Sequence, residues 1–122
     1  MAKILIVDDS AMSRRILRRV LEAAGHHILE ADDGLVALER YLLERPDLVL
    51  LDMTMRGMHG LDVLARLREL DTQARVIVAT ADIQRSTREM VEAAGGSGFL
   101  SKPFDADRIL SAVDAVLTGD AA

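Results

Sequence analysis

The residues able to do chemistry stand where apolar runs stop. Asp8-Asp9 follow Lys3-Ile4-Leu5-Ile6-Val7, and Asp52 follows Leu48-Val49-Leu50-Leu51. Thr80 comes after Arg75-Val76-Ile77-Val78-Ala79, and Lys102-Pro103 after Gly98-Phe99-Leu100-Ser101. If these runs are parallel strands, their C-terminal ends share one edge of a sheet. Three carboxylates, a hydroxyl and an ammonium group then meet in the crevice where open α/β sheets bind ligands. Clustered carboxylates repel one another, and a cation relieves the conflict. Oxygen-only donors favour a hard ion, and magnesium commonly combines a few carboxylates with waters and a phosphate. Asp52 in such a rim can be a metal ligand or a nucleophile that carries an aspartyl phosphate. The Thr80 hydroxyl can hydrogen-bond a phosphoryl oxygen while Lys102 offsets its charge. Each residue alone has a plainer role: Asp9 or Ser10 as a helix cap, Asp52 in a loop, Thr80 in a strand, Lys102 in solvent. Together they describe a magnesium-assisted phosphoryl site.

The elements that must position these groups alternate along the chain. Strands are expected over 3–7, 26–31, 48–51, 75–79 and 98–101. Most are continuous apolar runs, as strands covered on both faces require. The second, His26-His27-Ile28-Leu29-Glu30-Ala31, is more polar and suits an edge. Helical stripes fill the intervals. Ile16, Leu17, Val20, Leu21 and Ala24 form the first, with Arg14, Arg15, Arg18 and Arg19 opposite and Gly25 as the stop. Leu35, Leu38, Tyr41 and Leu42 form the second, ending before Pro46. Leu61, Leu64, Leu67 and Arg68 form the third. Thr87, Met90, Val91 and Ala94 give the fourth, and Ile109, Leu110, Val113, Val116 and Leu117 the fifth. The order is (βα)5, and right-handed crossovers make it a doubly wound α/β sheet.

The whole chain is consistent with one domain. At 122 residues it can build a core without staples, and with Phe99, Phe104 and Tyr41 as its aromatics, that core is aliphatic. There is no cysteine, hence no disulfide or thiolate chemistry. A net charge of −5 argues against a general nucleic-acid surface. Only Ile4-Leu5-Ile6-Val7 separate Lys3 from the aspartates, too little for a signal or a membrane span. The expectation is a soluble, cytoplasmic protein of a single domain, 1–122, with its core over 3–118 and a short tail at 119–122. If the chain is complete, it is expected to act by contact with another protein.

The sequence resembles the receiver domains of two-component response regulators, especially the stand-alone, chemotaxis-type ones. The resemblance spans 3–118 and rests on Ile4-Leu5-Ile6-Val7-Asp8-Asp9-Ser10, Asp33-Gly34, Leu50-Leu51-Asp52-Met53, Met58 with Gly60, Thr80-Ala81, and Gly98-Phe99-Leu100-Ser101-Lys102-Pro103-Phe104. It implies a flavodoxin-like sheet of order 2-1-3-4-5, with Asp8, Asp9 and Asp52 at the switch point. It implies that Asp52 accepts a phosphoryl group from a sensor histidine kinase or phosphotransfer protein. Mg²⁺ would be held by Asp9, Asp52 and the Thr54 backbone carbonyl, with Asp8 acting through water. Lys102, the Thr80 hydroxyl and the Ala81 backbone amide would meet the phosphoryl group. Phe99 takes the aromatic switch position, turning inward as Thr80 moves, and Lys102-Pro103 is expected to be cis. Further implied partners are a downstream protein target and a phosphatase, with a phosphorylation-dependent dimer as an option. Neither direct nucleic-acid binding nor membrane insertion is expected.

The chain departs from the family pattern at Arg56, where proline is usual, and at His59, where an acidic residue is common. Thr54 and Asp82 occupy the variable positions that tune phosphate lifetime in the family. Arg14, Arg15, Arg18 and Arg19 could dock a kinase or phosphatase, or form a solvated face. His26, His27 and His59 lack a ligand constellation, and Met53, Met55 and Met58 suit loop packing. Turnover of an external substrate is not expected: an acid at position 54, which dehalogenase-type phosphohydrolases need, is replaced by threonine. Nucleotide-binding glycine motifs are absent. The alternatives left open are a phosphorylation-independent adaptor and a receiver fragment of a larger DNA-binding regulator.

Overall fold

The computed structural model describes residues 1–55, 58–82 and 84–119. Strands and helices alternate: β1 (Lys3–Val7), α1 (Ala11–Ala23), β2 (His27–Ala31), α2 (Gly34–Glu44), β3 (Leu48–Asp52), α3 (Gly60–Leu70), β4 (Val76–Thr80), α4 (Arg85–Ala93), β5 (Gly98–Ser101) and α5 (Ala106–Thr118). The sheet order is β2-β1-β3-β4-β5 and every pairing is parallel. This is the doubly wound, flavodoxin-like (βα)5 architecture expected.

Alternate side chains of the central strands enter two separate cores, as the period of two demands. Leu5, Val7, Val49, Leu51, Val76 and Val78 face Ala37 and Tyr41 of α2, Val63, Leu64 and Leu67 of α3, and Val91 of α4. Ile4, Ile6, Leu48, Leu50 and Ile77 face Leu17 and Leu21 of α1 and Ile109, Val113 and Val116 of α5. β1, β3 and β4 are therefore unbroken apolar runs because both faces are covered. β2 lies at an edge, where His27 is exposed while Ile28 and Ala31 are buried.

The structure corrects the expected elements in two ways. Asp52 and Thr80 are the last residues of β3 and β4 rather than the first beyond them, because the ladder continues: Asp52 registers with Ala79 and Thr80 with Ser101. Conversely, β2 begins at His27 and β4 at Val76. Five apolar residues assigned to buried stripes are exposed, namely Ile16, Ala24, Leu35, Leu42 and Met90. In α2 the reason is steric. Its inward face is Gly34, Ala37 and Tyr41, and a Cβ on Gly34 would lie 2.8 Å from Val63 Cγ2 and 2.9 Å from Met58 Cβ. Small residues let α2 close on α3, which rotates Leu35 and Leu42 outward.

Helix ends follow local side-chain chemistry. Ser10, Asp33, His59 and Asp105 each accept a backbone N–H from the first turn of α1, α2, α3 and α5. Among the described residues, no helix is long and apolar enough to cross a membrane.

Tyr41 ties α2 to the end of α3, its hydroxyl donating to Asp71 Oδ2 at 2.7 Å. Burial and the Asp71 carboxylate push the phenol up to about 12. The neutral phenol thus contributes to stability below its unfolded value of about 10, on the order of 2–3 kcal/mol, lost as pH rises towards about 12. Tyr41 is the sole tyrosine and there is no tryptophan. Tyrosinate absorbance should therefore titrate near 12 in the native protein, and about two units lower in denaturant. A native midpoint at the model-peptide value would contradict the Tyr41–Asp71 tie.

Candidate functional site

The parallel register carries the C-terminal ends of β1, β3, β4 and β5 to one edge. Val7 pairs with Leu51, so Asp8 leaves β1 at the level of Asp52. The Asp8 amide still donates to Ala31 O at 3.1 Å, which holds the chain at the sheet. The Asp8 carboxylate then turns inward, its Oδ1 accepting the Ser10 amide at 2.9 Å. Ser10 in turn caps α1 through Oγ, accepting from the Ser13 amide at 3.3 Å. The capping role therefore falls to Ser10 rather than to Asp9.

Asp8 and Asp52 are only 2 % and 5 % exposed, and Asp9 is half-buried. One carboxylate oxygen from each of Asp8, Asp9 and Asp52 lies within 4.8 Å of the other two. That donor set is all oxygen and crowded with negative charge. It fits a hard divalent cation such as Mg²⁺. Lys102 is the compensating charge within the protein: Nζ donates to Asp52 Oδ1 at 3.0 Å and to Asp8 Oδ2 at 3.4 Å. Its backbone is fixed by the Lys102 amide donating to Thr80 O at 2.9 Å, and the bond to Pro103 is cis.

Electrostatics follow from burial and proximity. Burial pushes the Asp52 carboxyl above its ordinary value; Lys102 pulls it back and the Asp8 carboxylate adds to the rise. The Thr54 backbone amide, hydrogen-bonded to Asp52, also favours the charged form. Burial lowers the Lys102 ammonium, but its hydrogen bond to Asp52 and the charge of Asp8 outweigh that, and the group is raised. Asp52 is thus a carboxylate with unmet demand for positive charge.

Thr80 is buried, and its Oγ1 accepts the Asp82 amide at 3.1 Å. Ala81 follows in an exposed bend beside the site, and Thr54 is likewise exposed. Phe99 is half-buried in β5, one strand away, with the Arg88 guanidinium 4.8 Å from its ring centre. A cleft of about 320 Å³ between α4 and β5 is lined by Arg88, Val91, Glu92 and Phe99.

Several groups important to the site were not legible beforehand. Arg14 donates Nη1 to Asp8 O at 2.6 Å and Nε to Glu30 Oε1 at 2.9 Å, while Arg18 also reaches Glu30. Burial raises the Glu30 carboxyl, yet Arg18 and Arg14 more than offset this and hold it below its ordinary value. Of the four arginines on α1, two are therefore tied to β2, and only Arg15 and Arg19 stand exposed. No spacing rule links α1 to β2 across 16 residues, so the pairing left no sequence signal. Two of the three histidines have structural tasks: His26 Nδ1 accepts the Ala2 amide, and His59 Nδ1 accepts the Leu61 amide. Met53 and Met55 are buried in the core with Met58 packed against them, as expected for loop packing. Arg56 lies outside the described residues.

Gly60 presses α3 against the strand that carries Asp52. Its amide donates to Met53 O at 3.0 Å. A Cβ there would lie 2.6 Å from Asp52 O and 2.6 Å from Met53 Cα, both backbone atoms that cannot swing aside. Gly60→Ala should therefore destabilise the fold by about 1–3 kcal/mol, read as a lower urea midpoint at unchanged slope. An unchanged midpoint would mean that this approach is slack.

Known proteins share both the sequence and the shape. The receiver-domain model of response regulators matches residues 4–114. Chemotaxis protein CheY of Bacillus subtilis is 40% identical over 94% of this chain and 97% of its own length. Sporulation initiation phosphotransferase F of the same organism is 42% identical over 91% of this chain and 90% of its own. The solved structure of Vibrio cholerae chemotaxis protein CheY4 superposes with a TM-score of 0.92 at 29% identity, covering 96% of this chain and 99% of that one. With its strand order and its rim of acids, this chain belongs to the response regulator receiver domains of two-component signalling.

Proposed function

We propose that the protein is a phosphorylation-controlled switch that accepts a phosphoryl group on Asp52, depends on Mg²⁺, and signals by contact with other proteins. The observation that carries this reading is the meeting of three carboxylates within 4.8 Å with Lys102 Nζ at 3.0 Å from Asp52. An adaptor that bound partners without phosphate would have no use for so costly a cluster of buried charge. The names of the relatives support the class of reaction: a phosphotransferase and chemotaxis proteins stand on the same fold.

The donor is a phosphohistidine on a sensor kinase or phosphotransfer protein. An Asp52 carboxylate oxygen forms the new bond to phosphorus as the phosphorus–nitrogen bond breaks, and the imidazole leaves with that electron pair. Asp9 and Asp52, with Asp8 and the Thr54 carbonyl, are the residues that would hold Mg²⁺. The ion, when bound, supplies charge stabilisation at the phosphoryl oxygens. Lys102 then exchanges its contact with Asp52 for one with a phosphoryl oxygen, meeting charge that develops during transfer. Thr80 Oγ and the Ala81 amide donate to the remaining oxygens. Water later attacks phosphorus, releasing inorganic phosphate and restoring the carboxylate. No external substrate is turned over. The signal is a shift in population: the phosphoryl group favours one arrangement of Thr80, and the half-buried Phe99 follows it inward to reshape the surface that a downstream target reads. On this reading the protein works in the cytoplasm, with a kinase before it and a protein target after it.

Intact-protein mass spectrometry after phosphoramidate treatment tests the reading. A single phosphoryl adduct is expected with Mg²⁺, none with EDTA, and none in Asp52→Asn. Retained labelling of Asp52→Asn at wild-type stoichiometry would remove Asp52 as the acceptor. Lys102→Ala separates the two functions of the rim. Mg²⁺ affinity by calorimetry should be no weaker than wild type, since a competing cation is gone, whereas adduct formation should slow by roughly 10²-fold or more. Loss of Mg²⁺ binding in that variant would contradict the assignment of Lys102 to the phosphoryl group.

A further inference from the structure

We propose that Thr87, on α4, is a positioning residue for the phosphoryl site, fixing the Thr80 hydroxyl through the backbone of Asp82. The inference rests on the reading of Asp52 as acceptor. Thr80 Oγ1 accepts the Asp82 amide at 3.1 Å. A hydroxyl that accepts one bond has a single proton to donate, and the accepted bond restricts where that proton points. Whatever holds the Asp82 amide in place therefore aims Thr80.

Both oxygens of the Asp82 carboxylate are engaged, although the residue is exposed. Oδ2 accepts the Thr87 hydroxyl at 2.7 Å, and Oδ1 accepts the Gln84 amide at 3.0 Å. Thr87 is 4 % exposed and lies beside Val91, the other buried residue of α4. Its hydroxyl thus presents a fixed donor, anchored by packing, to a carboxylate that water would otherwise claim. Gln84, the residue before α4, makes no side-chain cap bond. Asp82 and Thr87 take over that end of the helix and tie it to the end of β4. The chain of contacts runs from the packed face of α4 through the Asp82 carboxylate and amide to Thr80, at the rim beside Lys102. Donors fixed before the reaction are worth more than donors that must reorganise during it. Thr87 touches no reacting atom; it acts on rate by limiting where Thr80 can point.

The test compares Thr87→Val, which keeps shape and burial but loses the hydroxyl, with Thr87→Ser, which restores it. Asp82→Ala removes the same tie from its exposed side, where folding is not at risk. Phosphoramidate labelling of Asp52 with saturating Mg²⁺ should slow by about tenfold in Thr87→Val and Asp82→Ala and recover in Thr87→Ser. In a Thr80→Ala background Thr87→Val should cause no further loss, as residues acting through one group are not additive. A wild-type rate in Thr87→Val, or an equal loss with and without the Thr80 hydroxyl, would overturn the proposal. Hydrogen exchange of the Asp82 amide in the unphosphorylated protein is an independent readout, expected to quicken in Thr87→Val. Unchanged exchange there overturns the positioning role even if labelling behaves as expected. Failure of the acceptor reading is recognised separately, by labelling that persists in Asp52→Asn.

Discussion

Three carboxylates held within 4.8 Å at the edge of a sheet, two of them almost wholly buried, are the constraint to which the rest of the molecule answers. Left in an apolar crevice, such charge would neutralise itself by binding protons or would loosen the strand ends that carry it. Lys102 prevents this from within, bridging Asp52 and Asp8. The bridge makes demands on the fold. β5 must end level with β4, so that Lys102 is delivered from the far side of the sheet, and β1 must lie beside β3. The order β2-β1-β3-β4-β5 satisfies both, because the carboxylates come from the two central neighbours and the ammonium arrives from the edge.

The apolar scaffold explains why such a cluster can be held at all. Both faces of β1, β3 and β4 are packed, one against α1 and α5 and the other against α2, α3 and α4. The strand ends are therefore stiff, and repulsion among the acids cannot be relieved by a small shift of backbone. Arg14 reinforces the weakest point, the turn out of β1, by gripping the Asp8 carbonyl while anchored to Glu30. Gly60 does so for β3, since only an absent side chain lets α3 lie so close to Asp52 and Met53. Among the described residues, no buried side-chain polar atom is left without a hydrogen-bond partner. The polar rim is thus part of the packed structure.

Much of this was legible in the chain because it rests on periodicity and local chemistry. Continuous runs such as Leu48-Val49-Leu50-Leu51 state that a strand is covered on both faces, and acids directly after two such runs state where the polar edge lies. What was not legible depends on contacts distant in sequence or on exact helix rotation. Leu35 and Leu42 read as core because leucines at that spacing usually are. The inward face instead went to Gly34, Ala37 and Tyr41, whose small members allow α2 to approach Val63. Arg14 and Arg18 read as half of a solvated stripe, since nothing local announces that β2 will bring Glu30 to them. The pattern alone ends β3 and β4 one residue before Asp52 and Thr80, because polar side chains look like loop even where the backbone continues its ladder.

The same distribution of packing determines where the molecule can change. Val7 and Leu51 are locked in the core, so the acids that follow them have little freedom. Thr80 is different: its side chain is tied to an exposed residue two positions on, Asp82. Phe99 is only half-buried, and the charge stacked on its ring comes from an exposed arginine. Both groups lean on α4, which buries a single apolar residue, Val91, fewer than any other helix. Local stability follows such anchorage. Under the proposed switch, a charge added at the rigid acidic end would find its cheapest response across Thr80, Phe99 and α4, rather than in the strands that carry the acids.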